Sequence, residues 1–533
     1  MQANLKLLMA QINPTVGAIK SNESKIIEII ENKQSEHDLI IFPELSLTGY
    51  PPEDLLFRKD FYQVISESLQ RIQAATKDCY VMIGHPVLDN ECCYNSMSMF
   101  HMGQKIREYH KQKLPNYHVF DEARYFTPGI KDPCTLTIKN HTLGICICED
   151  LWQPGPVEDL IEAGVGTIIS LNASPFDYLK YPARVELLRS FAKKGIAMIY
   201  VNQIGGQDEL LFDGQSFAMD KTGALCARAP AFEEELCTVE LAQDTIKGKL
   251  TPLLSNEALI YKALVCGTRD YVRKNKFPGV LLGLSGGIDS ALTLSIAVDA
   301  LGCEQVHAVM MPSRYTASMS KEDALQQLNT LKVSHTTLSI EPVFNSILSV
   351  LDPVFQGLAA DTTEENIQAR IRGMLLMAMS NKSGKMVLTT SNKSESAVGY
   401  ATLYGDMAGG FSVLKDVLKT QVYDLAHYRN TISPVIPERV ITRAPSAELK
   451  DNQTDQDSLP EYAILDAIIV AYMEQRLSAK AIINKGFKPE EVNKVIKLIK
   501  RNEYKRRQAA PGIKISPVAF GKDWRYPITN GFE

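Results

Sequence analysis

The 533 residues carry 57 Lys and Arg against 62 Asp and Glu, a net charge of −5, with 45% hydrophobic and 22% charged residues. A chain this long exceeds one compact core and predicts two or three globular domains, and its balanced charge gives no general attraction to nucleic acid or membrane. No signal-peptide pattern opens the chain, no apolar run reaches transmembrane length, and the ten cysteines lack the spacing of a disulfide framework, so a reduced, cytoplasmic protein is expected. In chain order, strands are expected at 6–12, 38–42, 80–83, 144–148, 167–171 and 197–201, with helices at 19–32, 57–76, 156–163 and 183–194. The alternation predicts a layered α/β domain over 1–245. A polar stretch without apolar period follows, read as a linker at 246–258, and a second domain occupies 259–533.

Three segment ends in the first domain present reactive groups. Glu44 follows Ile40-Ile-Phe-Pro43, Lys111 follows Ile106-Arg-Glu-Tyr-His110, and Cys148 closes Gly144-Ile-Cys-Ile147. A thiol needs a base to become a nucleophile and a cation to hold the oxyanion that its attack creates, and these three side chains supply those roles. Phe42-Pro-Glu-Leu-Ser-Leu-Thr-Gly-Tyr50, Tyr109-His-Lys-Gln-Lys-Leu-Pro115 and Cys148-Glu-Asp-Leu-Trp152 resemble the nitrilase (carbon–nitrogen hydrolase) superfamily. That resemblance implies an αββα sandwich with Glu44, Lys111 and Cys148 as its catalytic residues. Lys111 and Lys113 compete for the cationic role, and the family pattern favours Lys111. The resemblance also gives Glu122 a part in orienting the lysine, and, for a glutaminase preceding a synthetase, makes Tyr117, Ser174 and Lys180 glutamine contacts.

The second domain is organised around Gly279-Val-Leu-Leu-Gly-Leu-Ser-Gly-Gly-Ile-Asp-Ser290, a buried strand running through paired glycines into a helix. Backbone N–H groups of such a turn, at a helix N-terminus, suit phosphate. The Walker A spacing is absent. Asp289 would repel a polyphosphate unless a divalent cation lay between them, which makes it a candidate Mg2+ ligand. Ser-Gly-Gly-x-Asp-Ser resembles the pyrophosphate loop of ATPases that split ATP between the α and β phosphates. Further on come a strand at 305–311, a helix at 361–380 and a strand at 385–390, which opens toward Glu395, a second carboxylate able to share the metal. Arg370 and Arg372 read as helix-surface charge.

Together with Asn366-Ile-Gln-Ala-Arg-Ile-Arg-Gly373, Ser391-Asn-Lys-Ser-Glu395, Gly399-Tyr-Ala-Thr-Leu-Tyr-Gly-Asp406, Ser446-Ala-Glu-Leu449, Asp451-Asn-Gln-Thr-Asp-Gln-Asp457 and Lys505-Arg-Arg-Gln-Ala-Ala-Pro511, the whole chain resembles the glutamine-dependent NAD synthetases. The resemblance implies a doubly wound parallel-sheet second domain that adenylates the carboxylate of deamido-NAD with ATP and amidates it with glutamine-derived ammonia. Because free ammonia is mostly protonated at neutral pH and then cannot attack, an enclosed passage between the two sites is expected. It implies ATP contacts at Gly283, Leu284, Ser285, Gly286, Gly287, Ile288, Asp289, Ser290 and Thr390, and deamido-NAD contacts at Asn366, Glu395 and Lys505. Gln456 stands where relatives carry an acid. Because both domains resemble families that assemble, a homo-oligomer is expected. The basic run at 497–507 has apolar partners at Val495, Ile496, Leu498 and Ile499 and reads as solvated helix charge, with no nucleic-acid or membrane partner expected. Two alternatives stay open, another glutamine- and ATP-dependent amidotransferase and an inactive metabolite-sensing homologue.

Overall fold

Along the strand Leu5–Gln11, Leu5, Leu7 and Met9 enter one core while Leu8 and Ala10 enter another, as the two-residue period of a strand requires. The computed structural model describes residues 4–242, 245–450, 453–457 and 459–532, so Asp451 and Asn452 of the acidic loop lie outside the described residues. The chain divides into two compact units, Met1–Leu254 and Ser255–Glu533.

The first unit holds a seven-stranded sheet in the order Thr245–Gly248, Glu235–Ala242, Leu5–Gln11, Leu39–Ile41, Tyr80–Asp89, Cys92–His101, Gln104–His110. A six-stranded sheet runs Leu225–Arg228, Phe217–Met219, Ala197–Asn202, Thr167–Asn172, His141–Ile147, Cys134–Ile138. Leu7, Ile41 and Met82 of the first sheet meet Ile145, Ile169 and Ile199 of the second in one core. The other faces are covered by helices, with Ile26, Ile30, Ile65 and Ile72 against Leu8, Ile40 and Val81, and with Leu160, Val185 and Leu188 against Cys146, Ile168 and Met198. The layers are therefore α, β, β, α. Part of the stretch expected to be linker is instead the edge strand Thr245–Gly248, paired with Glu235–Ala242. Its polarity reflects solvent on an edge, since Thr245, Lys247 and Gly248 are exposed.

In the second unit five parallel strands lie in the order Ser334–Thr337, Val306–Met310, Val280–Gly283, Met386–Thr389, Phe411–Ser412. Chain order reverses between Val280–Gly283 and Met386–Thr389, the switch point at which doubly wound sheets open a crevice for ligands. Leu281, Val309 and Val387 pack on Phe344, Ile367 and Ile371 of the helices Glu341–Phe355 and Thr362–Ser383. A helical cluster built on Leu465, Ile469, Val492, Val495 and Ile499 completes the unit. No helix among the described residues is long and apolar enough to cross a membrane.

Candidate active sites

In the first unit Glu44 lies just beyond the parallel strand Leu39–Ile41, Lys111 directly follows the hairpin strand Gln104–His110, and Cys148 opens a 3-10 turn at the end of His141–Ile147. Lys111 Nζ donates to Glu44 Oε1 at 2.7 Å and to Glu122 Oε1 at 2.9 Å, fully buried. Asn95 Nδ2 also donates to Glu44 Oε1 at 2.7 Å and the Ala173 N–H to Oε2 at 2.8 Å, while the Tyr50 hydroxyl donates to Glu122 at 2.8 Å. Every oxygen of Glu44 is thereby oriented. Cys148 sits at φ +44°, in the left-handed region that a side chain normally avoids. Asp150 fastens this turn by accepting from the Ile147 N–H at 3.0 Å, the Tyr109 hydroxyl at 2.8 Å and the N–H groups of Gln112 and Lys113 at 3.0 and 2.8 Å. Lys113 is thus held by its backbone outside the carboxylate pair, and Lys111 is the lysine between Glu44 and Glu122.

Burial and the Glu44 carboxylate keep the Cys148 thiol well above its usual pKa, so the resting group is neutral. Burial pulls the Lys111 pKa down, but the carboxylates of Glu122 and Glu44 outweigh it and hold the ammonium well above its usual pKa. Burial raises Glu122 against the pull of Lys111. The arrangement can move the thiol proton to a carboxylate as the sulfur attacks, with a fixed cation ready for the oxyanion.

Around it, the exposed Tyr117 donates its hydroxyl to Glu149 at 3.0 Å, and the Lys180 ammonium lies 4.4 Å over the Trp152 ring. Burial and Arg184 lower the pKa of Lys180. Ser174 is positioned through its N–H, which donates to Asn202 Oδ1 at 3.0 Å, and by Arg184 Nε, which donates to its hydroxyl at 3.2 Å.

In the second unit the loop 283–290 folds on itself. The Ser285 N–H donates to Ser290 Oγ at 3.3 Å, the Gly287 N–H to Ser285 Oγ at 3.2 Å, and Ser290 Oγ to Gly287 O at 3.0 Å. The helix Ile288–Leu301 begins inside the motif, so Asp289 and Ser290 occupy its first turn. Loop, Thr390 and Glu395 line one cavity of about 300 Å3 at the switch point. Gly286 has φ +82°, and a Cβ there would sit 2.2 Å from Ser320 O. Gly286→Ala should therefore destabilise the second unit by at least about 1–3 kcal/mol, the cost of a strained residue before the clash is counted, read as an earlier melting transition. Unchanged melting would contradict this close approach.

The two expected metal ligands are joined by a residue that sequence reasoning missed. Lys419 Nζ, buried, pairs with Asp289 Oδ2 and stands 3.3 Å from Glu395 Oε1. Asn392 Nδ2 donates to Asp289 Oδ1 at 2.8 Å. Burial lifts Glu395, against the pull of Lys419. Two carboxylates meeting at one cation fit Mg2+ of a nucleotide complex, which takes one or two protein carboxylates and fills its other positions with phosphate and water. No group of three or more candidate metal ligands occurs among the described residues. Arg372, expected on the surface, lines this cavity with Nε donating to Met311 O at 3.0 Å, and burial pulls its pKa down to about 10.

The structure does not bring Asn366 or Lys505 into the lining of that cavity. Asn366 Oδ1 accepts from the Thr402 hydroxyl at 2.7 Å, and Lys505 Nζ donates to Gly399 O and Ala401 O at 2.9 and 2.8 Å beside a second, smaller cavity shared with Thr389 and Ser391. Both therefore bear on the loop 399–406 from outside.

Comparison with known proteins agrees with both halves. Residues 7–248 match the model of the carbon-nitrogen hydrolase family and residues 260–509 that of NAD synthase. The chain is 49% identical to the glutamine-dependent NAD(+) synthetase of Acinetobacter baylyi, over 99% of each chain, and 43% identical to that of Aquifex aeolicus, over 99% of this chain and 100% of the other. Among solved structures it resembles the glutamine-dependent NAD+ synthetase of Acinetobacter baumannii in complex with ADP, at 47% identity, TM-score 0.81 and 99% of each chain.

Proposed function

Because the chain belongs to the glutamine-dependent NAD(+) synthetases, we propose that Cys148, Glu44 and Lys111 are the groups that release its ammonia and that the loop 283–290, Thr390, Asp289 and Glu395 form its ATP site. The reaction is the ATP-dependent amidation of deamido-NAD to NAD with nitrogen from glutamine. In the first half, Cys148 Sγ attacks the glutamine carboxamide as Glu44 takes its proton, and the Lys111 ammonium faces the developing oxyanion. Glu44 returns the proton to the departing ammonia, and water then cleaves the thioester to glutamate. Tyr117, Ser174 and Lys180 are read as glutamine contacts, with the Lys180 cation suited to its α-carboxylate.

In the second half a carboxylate, a poor electrophile, is adenylated. The loop amides and Lys419 neutralise the leaving pyrophosphate, and ammonia displaces AMP. Asp289 and Glu395 are the residues that would hold Mg2+, which would supply further charge neutralisation on the phosphates. Asn366, Glu395 and Lys505 are read as deamido-NAD contacts, the first and last through the loop 399–406. The same proposal includes a cytoplasmic setting, supported by ten free thiols, and self-association of identical chains, supported by the exposed Val350, Val354 and Leu358.

One observation carries this reading: a buried ammonium clamped between two carboxylates beside a cysteine that follows a strand in a left-handed turn. Supplying glutamine labelled with 15N in its amide, with ATP and deamido-NAD, should give NAD labelled in its carboxamide, read by mass spectrometry. Unlabelled NAD would contradict the reading.

A further inference from the structure

Lys393 is fully buried and does not line the nucleotide cavity, yet it carries a charge that an apolar side chain of similar size could replace in packing. Its Nζ lies 2.9 Å from Asp416 Oδ1 and 2.8 Å from Glu474 Oε1, and donates to Ser516 Oγ at 2.7 Å and Val518 O at 2.9 Å. Asp416 in turn accepts from the N–H groups of Ile515 and Ser516 at 2.8 and 2.7 Å and from the Ser516 hydroxyl at 2.9 Å. One ammonium thus ties three distant segments together.

Lys393's own turn and the Asp416 segment carry the ATP-site charges, Glu395 and Lys419. The Lys393 N–H donates to Val417 O at 2.8 Å, and the Lys419 N–H donates to Ser394 Oγ at 2.9 Å, so the turns 392–395 and 416–419 run in fixed register. Within that register Asn392 reaches Asp289, and Glu395 reaches Lys419. A slip of one turn against the other would part the cation from its carboxylates while leaving the glycine loop intact. A satisfied buried polar network has directional partners that an apolar contact lacks, and so specifies one register.

We propose that Lys393 is a positioning residue for the adenylation step: through Asp416 and Ser516 it uses the C-terminal segment 515–518 to set Glu395 and Lys419 at their working separation. This rests on reading those two residues as part of the ATP site.

The test is ammonia-driven AMP and NAD formation by the full-length protein, with active sites counted by ATP binding. Lys393→Met is expected to lower kcat per site by about 30- to 100-fold, with the KM for ATP changed less than about threefold, because misplacing reacting groups by about an ångström costs rate on the order of a hundredfold. Lys393→Arg should recover part of the loss, and glutamine hydrolysis should stay within about twofold of wild type, the altered network being confined to the second unit. A Lys393→Met protein that melts earlier yet keeps its kcat per site overturns the proposal. Should that variant fail to fold, Ser516→Ala decides: a fall of about three- to tenfold supports positioning, and kcat within about twofold of wild type overturns it. Wild-type protein that forms no AMP would instead sink the underlying reading of the ATP site.

Discussion

Cys148→Ala is expected to abolish NAD formation from glutamine, by at least about a thousandfold, and to leave ammonia-driven formation within about twofold of wild type. The size follows from the site. Alanine removes the atom that must bond to the carboxamide, and no second nucleophile stands in its place, since Glu44 is committed to Lys111, Asn95 and the Ala173 N–H. Packing changes little, because the turn is pinned by Asp150 and not by the thiol. Free ammonia enters after this chemistry, so the second unit has no need of the sulfur. Parallel assays with the two nitrogen sources check it, and equal loss with both, or loss with neither, would remove Cys148 from its role.

Asp289→Asn should produce the opposite pattern. NAD formation is expected to fall by at least about a hundredfold with either nitrogen source, while glutamine hydrolysis persists. The substitution keeps the shape but removes a charge that the structure uses twice, toward Lys419 through Oδ2 and toward Asn392 through Oδ1. An asparagine amide oxygen also binds a divalent cation less strongly than a carboxylate does, so the variant should need more Mg2+ for half-maximal rate. A variant with wild-type AMP formation would show that Asp289 is a structural helix-cap acid and no part of the ATP site.

The groups behind these two predictions are legible at different ranges. Glu44, Lys111 and Cys148 each close a strand-like run within a short motif, and the glycine loop is contiguous, so local pattern makes them candidates and the family resemblance of those motifs singles them out. Lys419 offers no such signal: a lysine at a helix start reads as solvated, and only the fold shows it buried against Asp289, 130 residues away. Asn95 is similarly placed on Glu44 from 51 residues distant. The apolar strands of both units are readable from composition, whereas the exposed polar edge Ser334–Thr337 and the two-residue Phe411–Ser412 gain their conformation from neighbouring strands. Arg372 misled because its helix carries polar residues on several sides, and it is the cavity that distinguishes the guanidinium of Arg372 from the exposed Arg370.

Coupling a glutaminase to an adenylating site makes chemical sense in one chain. At neutral pH ammonia is mostly protonated and cannot attack, so nitrogen is best released where an activated carboxylate is waiting. That activation is the central claim, and oxygen isotope transfer tests it directly. Deamido-NAD carrying 18O in its carboxylate, turned over with ATP and glutamine, should yield AMP with one 18O for every NAD formed. Label in inorganic phosphate, with ADP as the nucleotide product, would mean that the carboxylate is phosphorylated and not adenylated.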